Sequence, residues 1–466
     1  MDRWLRVLSV LVAGPLAAGA AQAPRDPPTA FVGVAVIDMV DEQVQRDRTV
    51  VVWDDRIVAV GPRSEVPIPP DARRIEGRGR FLIPGLTDAH VHFRADTAVN
   101  AALLRLHLSY GVTSVLNLSG RPEVLAAKRA VADGALLGPT IYSSGPIHDD
   151  STLTFADGER LVEEEAAAGY DFVKVYNRLS RPAYWGMISA ARRVGIPVVG
   201  HVVRSLDGDG FAGCDEARIV CRCEHCFETT LTSGQRAIVH MEEVQYGFFR
   251  SHAFRHPVPL ARMRPAIPGL ARRVAESGIW VIPTLEVYRN IPRQLDSLDA
   301  VLARPEMRYM PRAMTDRWRR DSNPYLESMT PDVVPGFRES YALLAELTLA
   351  FQRAGVRLLA GTDVGVPSVI AGLGLHWELQ HLVEAGLTPW EALATATRLP
   401  GEFLGRGAFG TIRSGQRADL ILLDANPLDA IANTLRQAGV MARGRWLDGP
   451  TVAGMLRELA EAGADD

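Results

Sequence analysis

Phe81-Leu82-Ile83-Pro84-Gly85-Leu86-Thr87-Asp88-Ala89-His90-Val91-His92 is an apolar run that ends in two histidines at i and i+2. Side chains two apart on a strand leave the same face, so these imidazoles can share one divalent ion. Continuous apolar runs of this kind predict strands buried on both faces. Seven more follow at residues 113–118, 140–144, 172–176, 197–201, 236–240, 280–284 and 357–361. Amphipathic stretches such as 122–133 and 158–168 lie between them. Eight such βα units predict an α/β fold, a (β/α)8 TIM barrel spanning residues 81–404. Residues 288–341 are too long for a simple crossover and are expected to form a lid insertion over the barrel mouth.

Outward from the barrel the style changes. Residues 30–38 and 49–60 are rich in Val and Ile, with breaks at Gly61-Pro62 and 67–71. Residues 419–424 and 440–446 repeat that style, separated by Asn426-Pro427. The two flanks, 29–80 and 405–448, are expected to pair into a small β-sandwich domain built from both chain ends.

The chain has 466 residues, 47% hydrophobic and 23% charged, with a net charge of −4. This is the balance of an ordinary globular protein. It offers no general attraction for nucleic acid or an anionic membrane. At the N-terminus, Arg3 and Arg6 precede an apolar stretch at 8–18 and the small-x-small pattern Ala21-Gln22-Ala23. Residues 1–23 therefore read as a signal peptide, and the mature protein is expected in the periplasm or outside the cell. No later run reaches the ~20 apolar residues of a membrane span.

Active sites of such barrels lie at the C-terminal ends of the strands. There the runs end in His90 and His92, Lys174, His201, His240 and Asp363. Each has a plain reading alone: a hydrogen-bonded core histidine, a lysine reaching solvent, an aspartate capping a helix. Together, four histidines and a carboxylate at strand ends suit zinc or a related ion. A lysine inside a barrel is costly unless it is neutralised.

Residues 81–92, Gly111-Val112-Thr113, Val173-Lys174-Val175, Gly200-His201, His240-Met241-Glu242-Glu243, Gly361-Thr362-Asp363 and the stretch 418–427 resemble the amidohydrolase superfamily. The resemblance runs from about residue 30 to 448. It is nearest to the imidazolonepropionase-like and Xaa-Pro dipeptidase (prolidase)-like branch. It implies two divalent metal ions, zinc by expectation. His90, His92 and Asp363 would hold the deeper ion and His201 and His240 the outer one. A CO2-derived carboxylated Lys174 would bridge them. A bridging hydroxide would then attack the scissile carbonyl, with Asp363 as the catalytic proton carrier. The expected reaction is cleavage of an amide C–N bond, in a dipeptide or N-acyl amino acid. Ring opening of a cyclic amide or imidazolone, or deamination, is the alternative. A non-catalytic binding protein would be expected to have lost some of the six ligands, and all are present.

Two substrate contacts are expected, His148 and Tyr176. His148 stands in Gly145-Pro146-Ile147-His148, where relatives carry a Gly-Gly-His loop, and its two glycines are absent here. Tyr176 follows Lys174 by two and would face the same cavity. Arg289 reads as a solvated lid residue, and His107, His252, His256, His376 and His381 as non-ligands. The stretch 207–229 looks like an insertion and holds all four cysteines: Cys214, Cys221, Cys223 and Cys226. With His225 they suit a structural zinc in a reducing compartment. After export one or two disulfides are expected, the connectivity being open.

Overall fold

The computed structural model describes residues 27–204, 225–252, 257–405 and 408–465. The N-terminal segment 1–23 and Cys214, Cys221 and Cys223 lie outside these residues.

In chain order, β1 (Thr29–Val36), β2 (Gln45–Trp53), β3 (Arg56–Pro62), β4 (Arg73–Glu76) and β5 (Phe81–Pro84) precede the barrel. The barrel strands are β6 (Leu86–Val91), β7 (Val112–Asn117), β8 (Thr140–His148), β9 (Phe172–Val175), β10 (Val198–Gly200), β11 (Ala237–Val239) and β12 (Trp280–Ile282). β13 (Leu420–Leu423), β14 (Gln437–Ala442) and β15 (Arg445–Asp448) complete the set. Strands β6 to β12 pair in sequence as a seven-stranded sheet, parallel throughout.

The expected eighth strand is present as a bonded segment rather than a regular run. Leu359 N–H donates to Val281 O on one side. On the other side Ala89 N–H donates to Ala360 O, Asp363 N–H to His90 O and His92 N–H to Val364 O. Its regularity breaks because the Thr362 backbone N–H and hydroxyl both go to the buried Asp88 carboxylate, at 3.0 and 2.6 Å.

The chain ends form one mixed sheet, ordered β15-β14-β13-β5-β1-β2-β3 with β4 beside β1. In a flat sheet four strand steps separate β15 from β1 by about 19 Å. Yet the rings of Phe31 and Trp446 meet edge-to-face at 5.1 Å. The sheet therefore curls over its own core of Phe31, Val50, Leu82, Leu420 and Met441.

Phe81–Pro84 was expected to open the first barrel strand. Instead it pairs with β13 and β1 in the terminal sheet, and the barrel starts at Leu86. Gly85 is the joint. A Cβ there would lie 2.2 Å from Thr113 Oγ1, so nothing larger than glycine fits. The segment 49–60, expected as one strand, is a hairpin that turns at Asp54-Asp55 between β2 and β3.

Inside the barrel, Leu116, Phe172, Val199, Val239, Trp280 and Leu359 fill the interior, and Phe403 and Phe409 pack beneath. The expected lid region contains the helix Leu285–Leu302 and short turns up to the helix Val334–Ala354. The helix Gly449–Asp465 docks through Val452 and Met455 onto Leu108, Val440 and Leu447. Among the described residues no helix is long and apolar enough to cross a membrane.

Candidate metal centre

Strand alternation delivers part of the site directly. Phe172 and Val199 point into the barrel, so Lys174 and His201, two residues on, point there too. On β11 the inward residues are Ala237 and Val239, and plain alternation would send His240 outward. Its φ of 74° turns it back over the barrel axis. Thr284 and Asp363 take the same left-handed conformation, at φ 53° and 59°. Non-glycine residues adopt it at a cost of roughly 1–3 kcal/mol each, and such residues cluster at functional sites. On β6 a register shift between Asp88 and Val91 re-aims the two histidines.

The resulting cavity has a volume of about 320 Å³ and is lined by His90, His92, Lys174, His201, His240 and Asp363, with Tyr176 at its side. His90 Nε2 and His92 Nε2 are 2.9 Å apart, and Asp363 Oδ1 lies 3.3 and 2.9 Å from them. His240 Nε2 is 3.9 Å from Asp363 Oδ2. The rings of His90 and His201 each lie 4.9 Å from that of His240.

Several of these groups lack ordinary partners. Lys174 Nζ, His90 Nδ1 and Asp363 Oδ1 are buried without a hydrogen bond. Asp363 Oδ1 lies 2.9 Å from His92 Nε2 and is still without a hydrogen-bond partner. Nitrogen lone pairs and a carboxylate crowded in this way repel one another unless a cation stands among them. His90, His92 and Asp363 offer ligand atoms within 4.8 Å of one another. The donor set therefore fits a borderline divalent ion such as zinc.

The supports are in place on the far side of each ring. His201 Nδ1–H donates to Asn177 Oδ1 at 2.9 Å, with Glu243 Oε1 at 2.8 Å. His240 Nδ1 bonds Thr284 Oγ1 at 2.7 Å. Such outer bonds fix the tautomer and leave Nε2 free for an ion. Asp88 Oδ1 accepts from the backbone N–H groups of His90 and Thr362, tying the first strand to the eighth segment.

The electrostatics agree with neutral imidazoles and a charged carboxylate. Burial and then Lys174 push His90 and His201 well below the usual histidine value. Burial takes His240 down to about 3. Burial also lowers Lys174 to about 8. Burial alone would raise Asp363, but the His92 contact and the surrounding histidines outweigh it and hold the carboxyl below its ordinary value.

The two expected substrate contacts part ways. Tyr176 lines the cavity, its ring 4.0 Å from that of His201. His148 does not. The strand continues past Ser144 with a register shift before Ile147, so Ile147 faces the cavity. His148 turns outward, its Nε2 bonded to Glu165 Oε1 at 2.6 Å. Arg289 lies over the Tyr341 ring at 5.1 Å. His107, His376 and His381 bond Leu103 O, Tyr110 O and Glu286, away from the site. His256 lies outside the described residues. Cys226 is disulfide-bonded.

Sequence reasoning missed Asn177, Thr284 and Asp88, each one to three residues from a candidate ligand or beside the next strand end. It also missed Arg94 and Arg121, which line the same cavity. Position just beyond the strand ends is the signal that finds them.

This fold and site have clear relatives. Residues 81–447 match the amidohydrolase family, and the chain belongs to it. It is accordingly a hydrolase acting on carbon–nitrogen bonds. Ochratoxinase from Aspergillus niger is 24% identical over 428 residues, covering 84% of this chain and 80% of that one. The solved bottromycin amidohydrolase superposes with a TM-score of 0.71 at 23% identity, covering 95% and 92% of the two chains. A Xaa-Pro dipeptidase solved with bound methionine gives 0.65 at 17% identity, covering 91% and 100%.

Proposed function

We propose that this enzyme hydrolyses the amide bond of a dipeptide or N-acyl amino acid, using two divalent cations, zinc by choice of donors. The observation that carries the proposal is the convergence of His90, His92, Lys174, His201, His240 and Asp363 from five strand ends on one cavity. His90, His92 and Asp363 would hold the deeper cation, and His201 and His240 the outer one. Lys174 would supply a further ligand: its neutral amine would take up CO2 and release one proton, turning an uncharged nitrogen into an anionic oxygen donor. The unpartnered Nζ supports that role.

Bound cations supply Lewis acidity, lowering the pKa of water and polarising a carbonyl oxygen. The chain's own groups do the rest. Asp363, held as a carboxylate, takes a proton from the attacking water and delivers it to the leaving nitrogen. Tyr176 presents its ring beside His201 and walls the cavity on the outer side. Asn177 and Thr284 keep the two outer imidazoles turned inward.

Names of relatives support the amide chemistry: ochratoxinase, a bottromycin amidohydrolase and a Xaa-Pro dipeptidase. The test is a panel of Xaa-Pro dipeptides, other dipeptides and N-acyl amino acids beside cyclic ureides and adenine, with metal-replete, bicarbonate-treated protein. Release of an amino acid from the linear amides is the expected result. Turnover of the cyclic compounds alone would overturn the substrate class. We also infer export, on the basic, apolar and small-x-small pattern of residues 1–23. A periplasmic or secreted product whose mass lacks those residues is the expected finding.

A further inference from the structure

The cavity over the metal centre does not end at the ligands. Arg94 and Arg121 line it, and both also line an adjoining pocket of about 330 Å³. The far wall of that pocket comes from the lid region and carries Arg317, Met314 and Trp318. Three guanidinium groups thus face one space from three separate parts of the chain. Only one carboxylate, Asp96, lines the same pocket. It is already engaged, accepting from the Ala98 and Val99 backbone N–H groups as the cap of the helix Thr97–Ser109.

The arginines are not otherwise neutralised. Arg94 donates to the carbonyl of Gly365, which carries no charge. Arg121 and Arg317 have no ion-pair partner among the described residues. Three like charges gathered here outnumber the two nearby carboxylates, the metal-facing Asp363 and the helix-capping Asp96, so an anionic ligand would supply counter-charge. Arginine is the side chain suited to grip a carboxylate with two parallel bonds. Met314, Trp318 and Val99 add an apolar wall to the same pocket.

We propose that Arg94, Arg121 and Arg317 form a carboxylate subsite that fixes the acid end of the substrate beside the metal centre. The apolar wall takes an aliphatic or aromatic side chain. In an N-acyl amino acid or a dipeptide the carboxylate carbon is two bonds from the scissile nitrogen, so metal centre and arginines engage adjacent parts of one molecule. This rests on the hydrolase reading above and narrows it. Preferred substrates carry a free carboxylate and an apolar residue on the leaving side.

The test compares N-acetyl-L-phenylalanine with N-acetyl-L-phenylalaninamide as substrates, and 3-phenylpropionate with 3-phenylpropanamide as calorimetric ligands. Wild type is set against Arg121→Gln, Arg317→Gln and the double variant. The carboxylate is expected to be preferred by at least about tenfold in kcat/KM. The double variant loses that preference mainly through KM, and 3-phenylpropionate binding weakens in parallel. Equal use of acid and amide by wild type, or an acid preference unchanged in the double variant, overturns the subsite while leaving the hydrolase standing. If neither compound is cleaved but 3-phenylpropionate binding depends on the arginines, the subsite stands and the N-acyl amino acid reading falls. Binding of acid and amide with equal strength, unaffected by the substitutions, removes the subsite whatever the enzyme cleaves.

Discussion

Lys174 is sealed inside the barrel with its amine unpartnered and imidazoles on several sides. An ammonium in that place costs several kcal/mol of lost hydration, only partly offset by Asp363 and Glu243, whereas an anionic ligand beside bound cations would resolve the conflict. Lys174→Ala is therefore expected to bind less than two metal equivalents and to lose at least about a hundredfold in kcat, with metal content read by plasma mass spectrometry. Thr284→Val tests the support of one ring. It keeps a β-branched residue at the left-handed position but removes the bond to His240 Nδ1. The expected loss is about 10–100-fold in metal affinity, measured by chelator competition. Lys174 and His201 were legible in the sequence because alternation along β9 and β10 is a local rule; His90, His92, His240 and Asp363 stood out only as polar ends of apolar runs, their aim being set by a register shift and left-handed residues. The place of His148 outside the cavity was not legible, because its orientation depends on a register shift after Ser144, which no spacing within the sequence reveals.

The loops at the strand ends are held by the helices behind them. Glu378, in the helix Leu373–Glu384, accepts the Glu286 backbone N–H at 2.8 Å and so holds the start of the helix that follows Thr284. Burial pushes its carboxyl from the usual 4.5 to about 7. A carboxyl raised in the fold contributes stability that is fully present below its unfolded pKa and is lost as pH climbs through the folded one. The window is thus about pH 4.5 to 7. Glu378→Gln should gain on wild type in thermal stability between pH 5 and pH 8, by an amount on the order of 1–3 kcal/mol. A difference that shrinks over that range would contradict the sign. Gly85→Ala belongs to the same scale. Its Cβ would press on Thr113, and urea unfolding should show a loss of about 1–3 kcal/mol. The element that sequence assigned least well is β5, because an apolar run does not say which of two sheets it joins. Only the Pro84-Gly85 break hints that the run is two strands.

Across the molecule, the terminal sheet is fastened to the base of the barrel by polar groups as well as by packing. Arg417 donates to Ser114 Oγ at 2.7 Å and Tyr142 Oη at 3.2 Å on the barrel strands, and pairs with Asp419 at the start of β13. Arg417→Met leaves Asp419 buried without its partner and should cost about 3–5 kcal/mol, with unfolding of the terminal sheet preceding that of the barrel by circular dichroism and tryptophan fluorescence. The partnership of the two chain ends was legible from their shared Val/Ile style. The docking of the helix Gly449–Asp465 was not, because its apolar face is defined only by the surface that Leu108 and Leu447 present.

All of these scales meet in the claim that six side chains at strand ends hold two cations. Anomalous scattering at the zinc edge from crystals of zinc-loaded protein tests it most directly. The account predicts two peaks, one among His90, His92 and Asp363 and one beside His201 and His240, with density on Lys174 Nζ reaching both. A single peak, or two peaks with an unmodified Lys174 turned away from them, would contradict it.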